Sequence, residues 1–206
     1  MAQRVLAGMT MSVDGFITGP NDRPGTGLGE GGAERLHYWV FGGPWTYDSP
    51  PTGSPTGPDQ KYLDETFSGA GAWLVGRVMH DAAEGWGDDP GFGVPVFVVT
   101  HRPRPAVTKG NTTFEFVTDG AAAALARARA AAGDRDVLVM GGANLTGQYL
   151  DAGEVDELTV TVAPVLLGAG KRFFDRALRP DLTLEPAGVI ESPFVTHLRY
   201  RCSVKE

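Results

Sequence analysis

Val137-Leu138-Val139-Met140-Gly141-Gly142-Ala143-Asn144-Leu145 reads as four apolar residues of a buried strand, two glycines for a tight turn, and the start of a helical pattern. A strand that passes through glycines into a helix leaves backbone N–H groups free at the helix start. Partial positive charge collects there, which suits a phosphate group. Glycine also lets a pyrophosphate reach the backbone without meeting a Cβ. An ordinary strand-to-helix turn carries the same signature, so the neighbouring segments must decide.

Working upstream, Gly120 to Ala132 is an alanine-rich helix stopped by Gly133, and Thr112 to Val117 alternates as a strand should. Val94 to Thr100 is a strand stopped by His101-Arg102-Pro103-Arg104-Pro105. Ala72-Trp73-Leu74-Val75 is a buried strand ending at Gly76-Arg77, with a short helix from Val78 to Glu84. Asp59 to Phe67 reads as a helix with Asp59 as its N-cap. Val5 to Thr10 is a first strand, followed by a tight Asp14-Gly15 turn. Downstream, a helix runs to about Leu150. Leu158, Val160 and Val162 then alternate with Thr159 and Thr161 in a half-buried strand, with Pro164 at a bulge or edge. Strands near Leu182–Leu184 and Val195–Tyr200 follow with no helix between them.

Strand and helix alternate through the middle, which predicts an α/β fold: a mostly parallel central sheet with flanking helices and antiparallel C-terminal strands. Residues 1–206 read as one domain. The exception to this rhythm is 19–58, rich in glycine and proline and too long for a simple connection. It also carries Tyr38, Trp39, Phe41, Trp45 and Tyr47, so it is expected to fold over a pocket.

Composition narrows the function classes. A net charge of −7 argues against a nucleic-acid surface, so any basic site must be local. The single cysteine, Cys202, excludes an intrachain disulfide. With no signal segment and no apolar run of membrane-spanning length, a cytoplasmic protein is expected. The histidines (His37, His80, His101, His197) show no metal-ligand spacing, and no metal site is expected. Neither a zinc-deaminase pattern nor a G-x-S-x-G elbow is present, and Ser12 and Ser68 have no evident base.

Three segments each close a strand with anion-friendly residues: Gly76-Arg77, Thr100-His101-Arg102, and Gly141-Gly142 running into Ala143-Asn144. In a parallel sheet these ends share one edge, where ligands bind in open α/β folds. One positive cluster could be a solvated edge; three on an acidic protein favour a phosphorylated ligand. An arginine beside the adenine ribose would select a 2′-phosphate, hence NADPH, with Arg102 the first candidate and Arg77 the second. A formal G-x-G-x-x-G at Gly27, Gly29 and Gly32 follows Pro24-Gly25 rather than a strand, which fits a flexible loop better. Gly168-Ala169-Gly170-Lys171 reads as a turn.

Reduction of a C=N bond also needs a proton. Asp14 and Asp89 are the candidate catalytic carboxylates, although an Asp-Gly turn often serves structure alone. In Trp86-Gly87-Asp88-Asp89-Pro90 an indole lies beside two acids, where a flat heterocycle could stack and hydrogen-bond; a plain acidic turn is the other reading. Trp86, Asp88 and Asp89 are therefore candidate substrate-binding residues.

The order Ser12-x-Asp14-Gly15, Val75-Gly76-Arg77, Val98-Val99-Thr100-x-Arg102-Pro103 and Gly141-Gly142-Ala143 resembles the dihydrofolate-reductase-like fold. So does Val155-Asp156-Glu157-Leu158 leading to Ala163-Pro164-Val165-Leu166-Leu167-Gly168. More closely, the chain resembles the C-terminal reductase domain of the bifunctional riboflavin-biosynthesis deaminase-reductase, over nearly its whole length. The resemblance implies an NADPH-dependent, commonly homodimeric reductase acting on a ribosylamino-pyrimidine. It also implies cofactor contacts at Gly76, Arg77, Thr100, Arg102, Gly141, Gly142 and Ala143, and places Asp89-Pro90 near the substrate. The chain departs from that pattern at Met140, where those reductases usually have glutamate, and has no clear Arg-Trp segment after the first hairpin. Three functions are carried forward: a pyrimidine or pteridine reductase, a dihydrofolate-reductase-like activity, and a nucleotide-binding sensory module without turnover.

Overall fold

A computed structural model describes residues 3–44 and 50–205; Trp45 and Tyr47 of the aromatic loop lie outside the described residues. In chain order the elements are β1 (Val5–Ser12), β2 (Phe16–Thr18), a 3-10 helix (Ala33–Phe41), α1 (Gly57–Gly69), β3 (Ala70–Gly76) and α2 (Arg77–Ala82). A short 3-10 turn (Glu84–Trp86), β4 (Val96–Val99), β5 (Val107–Lys109), β6 (Thr112–Val117), α3 (Ala121–Ala132) and β7 (Asp136–Gly141) follow. The chain closes with α4 (Ala143–Ala152), β8 (Glu157–Ala163), β9 (Lys171–Arg172), β10 (Leu182–Glu191) and β11 (Thr196–Val204).

The main sheet has nine strands in the order β10-β11-β8-β1-β7-β3-β4-β6-β5. Strands β8, β1, β7, β3, β4 and β6 run parallel, while β5, β11 and β10 are antiparallel to their neighbours. The expected α/β class holds, with the antiparallel strands at the C-terminus and in the short β5. Successive side chains of a strand face opposite sides. Val5, Ala7, Leu74, Phe97, Val137, Val139 and Leu158 therefore pack against Leu125, Ala128, Leu145 and Tyr149 of α3 and α4. Leu6, Trp73, Val75, Val98 and Leu138 form the opposite core, beneath Met79 and Trp86. Nearer β8, the cover is Leu36 and Trp39 of the long 3-10 helix and Tyr62 of α1.

Two local expectations need correction. Helix α1 begins earlier, with Thr56 at the N-cap position, and Asp59 lies inside its first turn, 1% exposed. Asp59 is drawn inward by a partner that the local sequence could not reveal, His197 of β11. Strand β8 is not half-solvated: Thr159 and Thr161 are buried, with the Tyr62 hydroxyl against both and His197 bonded to Thr161. Pro164 falls just past the end of β8, where no ladder hydrogen bond is lost.

Candidate functional site

The C-terminal edge of the parallel strands carries the three sequence clusters, and the register sets them at one height. Val75 pairs with Gly141 and Gly76 with Val99 across the neighbouring strands β7, β3 and β4. The chain therefore leaves the sheet at Gly142, Arg77 and Thr100 side by side. A Cβ built on Gly76 would lie 3.6 Å from both the Gly141 carbonyl oxygen and the Gly142 nitrogen, so the two backbones run close.

Gly141 has a φ of 114, and a Cβ there would land on the Met9 terminal methyl, with the Met79 sulfur at 3.5 Å. Only glycine suits that position. The Gly141–Gly142 peptide is cis. Gly142 is the N-cap residue of α4, and its Cβ direction opens onto empty space. No side chain caps α4, so its first N–H groups face this edge uncovered. Asn144 is exposed there, its side-chain oxygen accepting a 2.7 Å hydrogen bond from Gln148.

After β4, the Thr100 N–H donates to Val117 O (3.0 Å), and the buried Thr100 hydroxyl oxygen accepts from the Arg102 N–H (3.1 Å). This small turn presents His101 and Arg102 outward. Among the described residues the Arg102 guanidinium has no ion-pair partner. Arg77 is paired, its Nη2 lying 2.7 Å from Asp81 Oδ2. Asp81 also faces His80 Nδ1 (3.1 Å) and Arg104 Nη1 (3.8 Å).

These features fit the phosphates and adenosine ribose of a nicotinamide dinucleotide. Gly142 leaves room where a Cβ would stand, α4 offers free N–H groups, and Arg102 is an available cation beside them. Among the described residues no cluster of His, Cys, Asp or Glu is arranged to hold a metal ion. No helix among them is long and apolar enough to cross a membrane.

The candidate carboxylates are placed differently. Asp14 lies at the same edge, at the end of β1, but its oxygens are engaged. The Ser12 hydroxyl donates to Oδ1 at 2.6 Å, the Gly168 N–H to Oδ2 at 2.7 Å and the Leu167 N–H to Oδ1 at 3.2 Å. Partial burial works against the charged form, but the bonds from Ser12, Gly168 and Leu167 outweigh it and hold the carboxyl below its ordinary range. Ser12 thus has a carboxylate neighbour after all, used for a turn: its oxygen also accepts from the Phe16 N–H. Residues 168–170 bend, but the turn expected over Gly168–Lys171 is one residue shorter because Lys171 opens β9 against β2; the Gly168 N–H donates to Asp14.

Trp86, Asp88 and Asp89 are not at this edge. Glu84, Gly85, Trp86 and Gly87 all have positive φ, and the Lys109 ammonium donates to the carbonyls of Glu84 (3.3 Å) and Gly87 (2.7 Å). That left-handed turn tucks the Trp86 ring inward, stacked 6.3 Å from Phe114 and edge-on to Phe92. The Asp89 carboxylate sits against Gly110, in the β5–β6 turn at the N-terminal end of β6. This is the opposite end of the parallel strands from Gly76, Arg102 and Gly141. The expectation that this segment lines the mouth of the cleft is therefore corrected.

A second polar constellation escaped the sequence reading. His197 Nε2 lies 3.0 Å from Asp59 Oδ1, and His197 Nδ1 lies 2.8 Å from the Thr161 hydroxyl. The Tyr62 ring tilts over His197 at 4.1 Å, with Trp39 edge-on at 5.1 Å. His197 is completely buried, and that burial lowers its pKa more than Asp59 raises it. Burial likewise raises the Tyr62 phenol, against the hydroxyls of Thr159, Thr66 and Thr161 and the nearby Arg199. The one legible signal was a lone histidine at an inward-facing position of an alternating strand.

The sequence profile of the RibD C-terminal domain matches residues 3–195. Among solved structures, the chain is similar to a protein from Shewanella sp. PV-4 described as a candidate riboflavin biosynthesis protein. The identity is 19% and the TM-score 0.70, over 98% of this chain and 99% of that one. It is also similar to dihydrofolate reductase from Enterococcus faecalis, solved in complex with NADP(H) and RAB-propyl (16% identity, TM-score 0.53, 97% and 96% covered). A third likeness is the diaminohydroxyphosphoribosylaminopyrimidine deaminase/5-amino-6-(5-phosphoribosylamino)uracil reductase of Thermotoga maritima (13% identity, TM-score 0.60). That alignment covers 97% of this chain but 56% of the Thermotoga protein. No curated protein sequence matches.

Proposed function

The chain belongs to the RibD C-terminal domain family, and from that premise we propose that it is an NADPH-dependent reductase of a flat, oxidised nitrogen heterocycle, a pyrimidine or pteridine. One observation carries the reading. The adjacent ends of β7, β3 and β4 gather a glycine cradle, uncapped helix N–H groups and the outward-facing Arg102 at one height. The Enterococcus dihydrofolate reductase, of like fold, was solved in complex with NADP(H), which supports the same choice of cofactor.

In this reading Gly76, Gly141 and Gly142 let the diphosphate lie against the backbone, and the N–H groups of Ala143 and Asn144 donate to it. Thr100 holds the turn that aims His101 and Arg102 at the adenosine ribose, where Arg102 pairs with a 2′-phosphate and Arg77 flanks it. When bound, the nicotinamide supplies the hydride. Fixing both ends of the dinucleotide holds its reacting ring near attack distance, so the protein's contribution is chiefly positioning. Met9 and Met79, packed around Gly141, give this part of the cleft an adaptable apolar wall suited to a flat ring. Asp14 serves as a positioning residue: it ties the β1–β2 turn to the loop after β8 and so shapes the substrate side. A homodimer and a cytoplasmic location are part of the proposal, following the family resemblance.

Titration with NADPH tests the cofactor assignment, and NADPH oxidation on adding dihydrofolate or the ribosylamino-pyrimidine tests turnover. Binding with turnover is expected. Binding without turnover on any oxidised heterocycle would favour the sensory module, and absence of binding would reject both.

A further inference from the structure

Asp81 is an acid placed at the centre of the site's basic groups, and nothing in a phosphate-binding role requires it. Its Oδ2 holds Arg77 Nη2 at 2.7 Å, while Oδ1 faces His80 Nδ1 at 3.1 Å and Arg104 Nη1 at 3.8 Å. Arg104 is fixed a second time, its guanidinium resting 4.9 Å from the Phe116 ring centre. The side chain of Asp81 is 17% exposed, against 31% for Arg77 and 51% for Arg104. The acid thus lies beneath two guanidinium groups that face outward, one from α2 and one from the segment following β4.

We propose that Asp81 sets the balance between NADPH and NADH by competing with the ribose 2′-phosphate for Arg77. The proposal rests on the dinucleotide reading of this edge. A phosphate dianion approaching Arg77 meets a guanidinium already hydrogen-bonded to a carboxylate, and must share the fork while being repelled by the acid behind it. A ribose 2′-hydroxyl carries no charge and meets no such repulsion. Asp81 therefore narrows the margin by which Arg102 and Arg104 favour the phosphorylated dinucleotide. Its two oxygens face one guanidinium each, Arg77 and Arg104, and so offset the repulsion between them.

The experiment is a set of titrations on the full chain with NADPH, NADH and adenosine 2′,5′-bisphosphate, comparing wild type with Asp81→Asn. Repulsion of this kind across a partly exposed surface is worth on the order of tenfold in affinity. NADPH and the bisphosphate are expected to bind about tenfold more tightly to the variant, with NADH within about twofold of wild type. Adding Arg77→Ala to the Asp81→Asn chain should erase the gain. Asp81→Ser, which removes the charge without an amide, should reproduce it. Unchanged or weakened NADPH binding in both Asp81 variants, or an equal gain for NADH, would overturn the proposal while leaving the dinucleotide reading intact. Wild type that binds neither dinucleotide would overturn both.

Discussion

The two halves of the strand-end edge handle polar groups in opposite ways. Toward β8, Asp14 is saturated by Ser12, Leu167 and Gly168, and behind it Asp59, His197 and Thr161 close on one another out of reach of water. Toward β4, helix N–H groups go uncapped, Gly142 borders open space, and Arg102 projects without an ion-pair partner among the described residues. Groups that complete one another inside the fold hold it together; groups left incomplete at a shared edge are those that the proposed function assigns to the dinucleotide. Substitutions on the first side should mostly change stability, and those on the second mostly change binding.

The largest stability effect is expected from His197→Ala. It strands the buried Asp59 carboxylate and opens a cavity, a loss of about 3–5 kcal/mol measured by denaturant unfolding. Dinucleotide affinity should survive in whatever fraction folds; its selective loss in a stable variant would erase the contrast. The same side should weaken in acid. Both His197 and His37 have pKa values lowered by burial, His37 to about 4, so the unfolded chain takes up protons first. Stability is therefore full above about pH 6.5 and falls as pH drops towards 4. A melting temperature that stays level from pH 7 to 5 would contradict this.

Gly141→Ala tests the open side where it touches the core. A positive φ and a collision with Met9 together cost about 3 kcal/mol, and NADPH binding should fall with it. Asp14→Ala comes next. Losing the bonds to Leu167 and Gly168 costs about 2 kcal/mol, and NADPH affinity is unchanged. If the variant is as stable as wild type but does not turn over, Asp14 belongs to the chemistry. The smallest stability change, within about 0.5 kcal/mol, is expected for Arg102→Ala. Its NADPH affinity should drop more than tenfold with little change for NADH; equal losses for the two would reject the 2′-phosphate assignment.

Much of the fold was legible because strand and helix periods differ and glycines punctuate them: Thr112–Val117 and Ala121–Ala132 emerge close to their expected bounds. The alignment of Gly76, Arg102 and Gly141 followed from one rule about parallel strands. What stayed hidden depended on contacts between distant segments. Asp59 looks like an N-cap locally and becomes a buried partner only when β11 brings His197 to it. Trp86 looks like an exposed stacking platform until Lys109, 23 positions on, closes its turn and faces the indole into the core. Inside the aromatic loop, composition indicated a cover but could not place the helix at Ala33–Phe41, whose Trp39 packs beside Tyr62 and His197.

Strand β1 is seated between β7 and β8, pairing Val5–Ala7 with Val137–Val139 and Leu6–Ser12 with Glu157–Ala163. Strand β1 therefore waits for most of the elements that follow it before either of its flanks is matched. Closing such long loops carries an entropic penalty ahead of any reward, which slows folding and leaves an apolar ribbon uncovered meanwhile. Nascent chains of this protein are accordingly expected to depend on holding factors until β8 has been synthesised, a vulnerability that the finished sheet conceals.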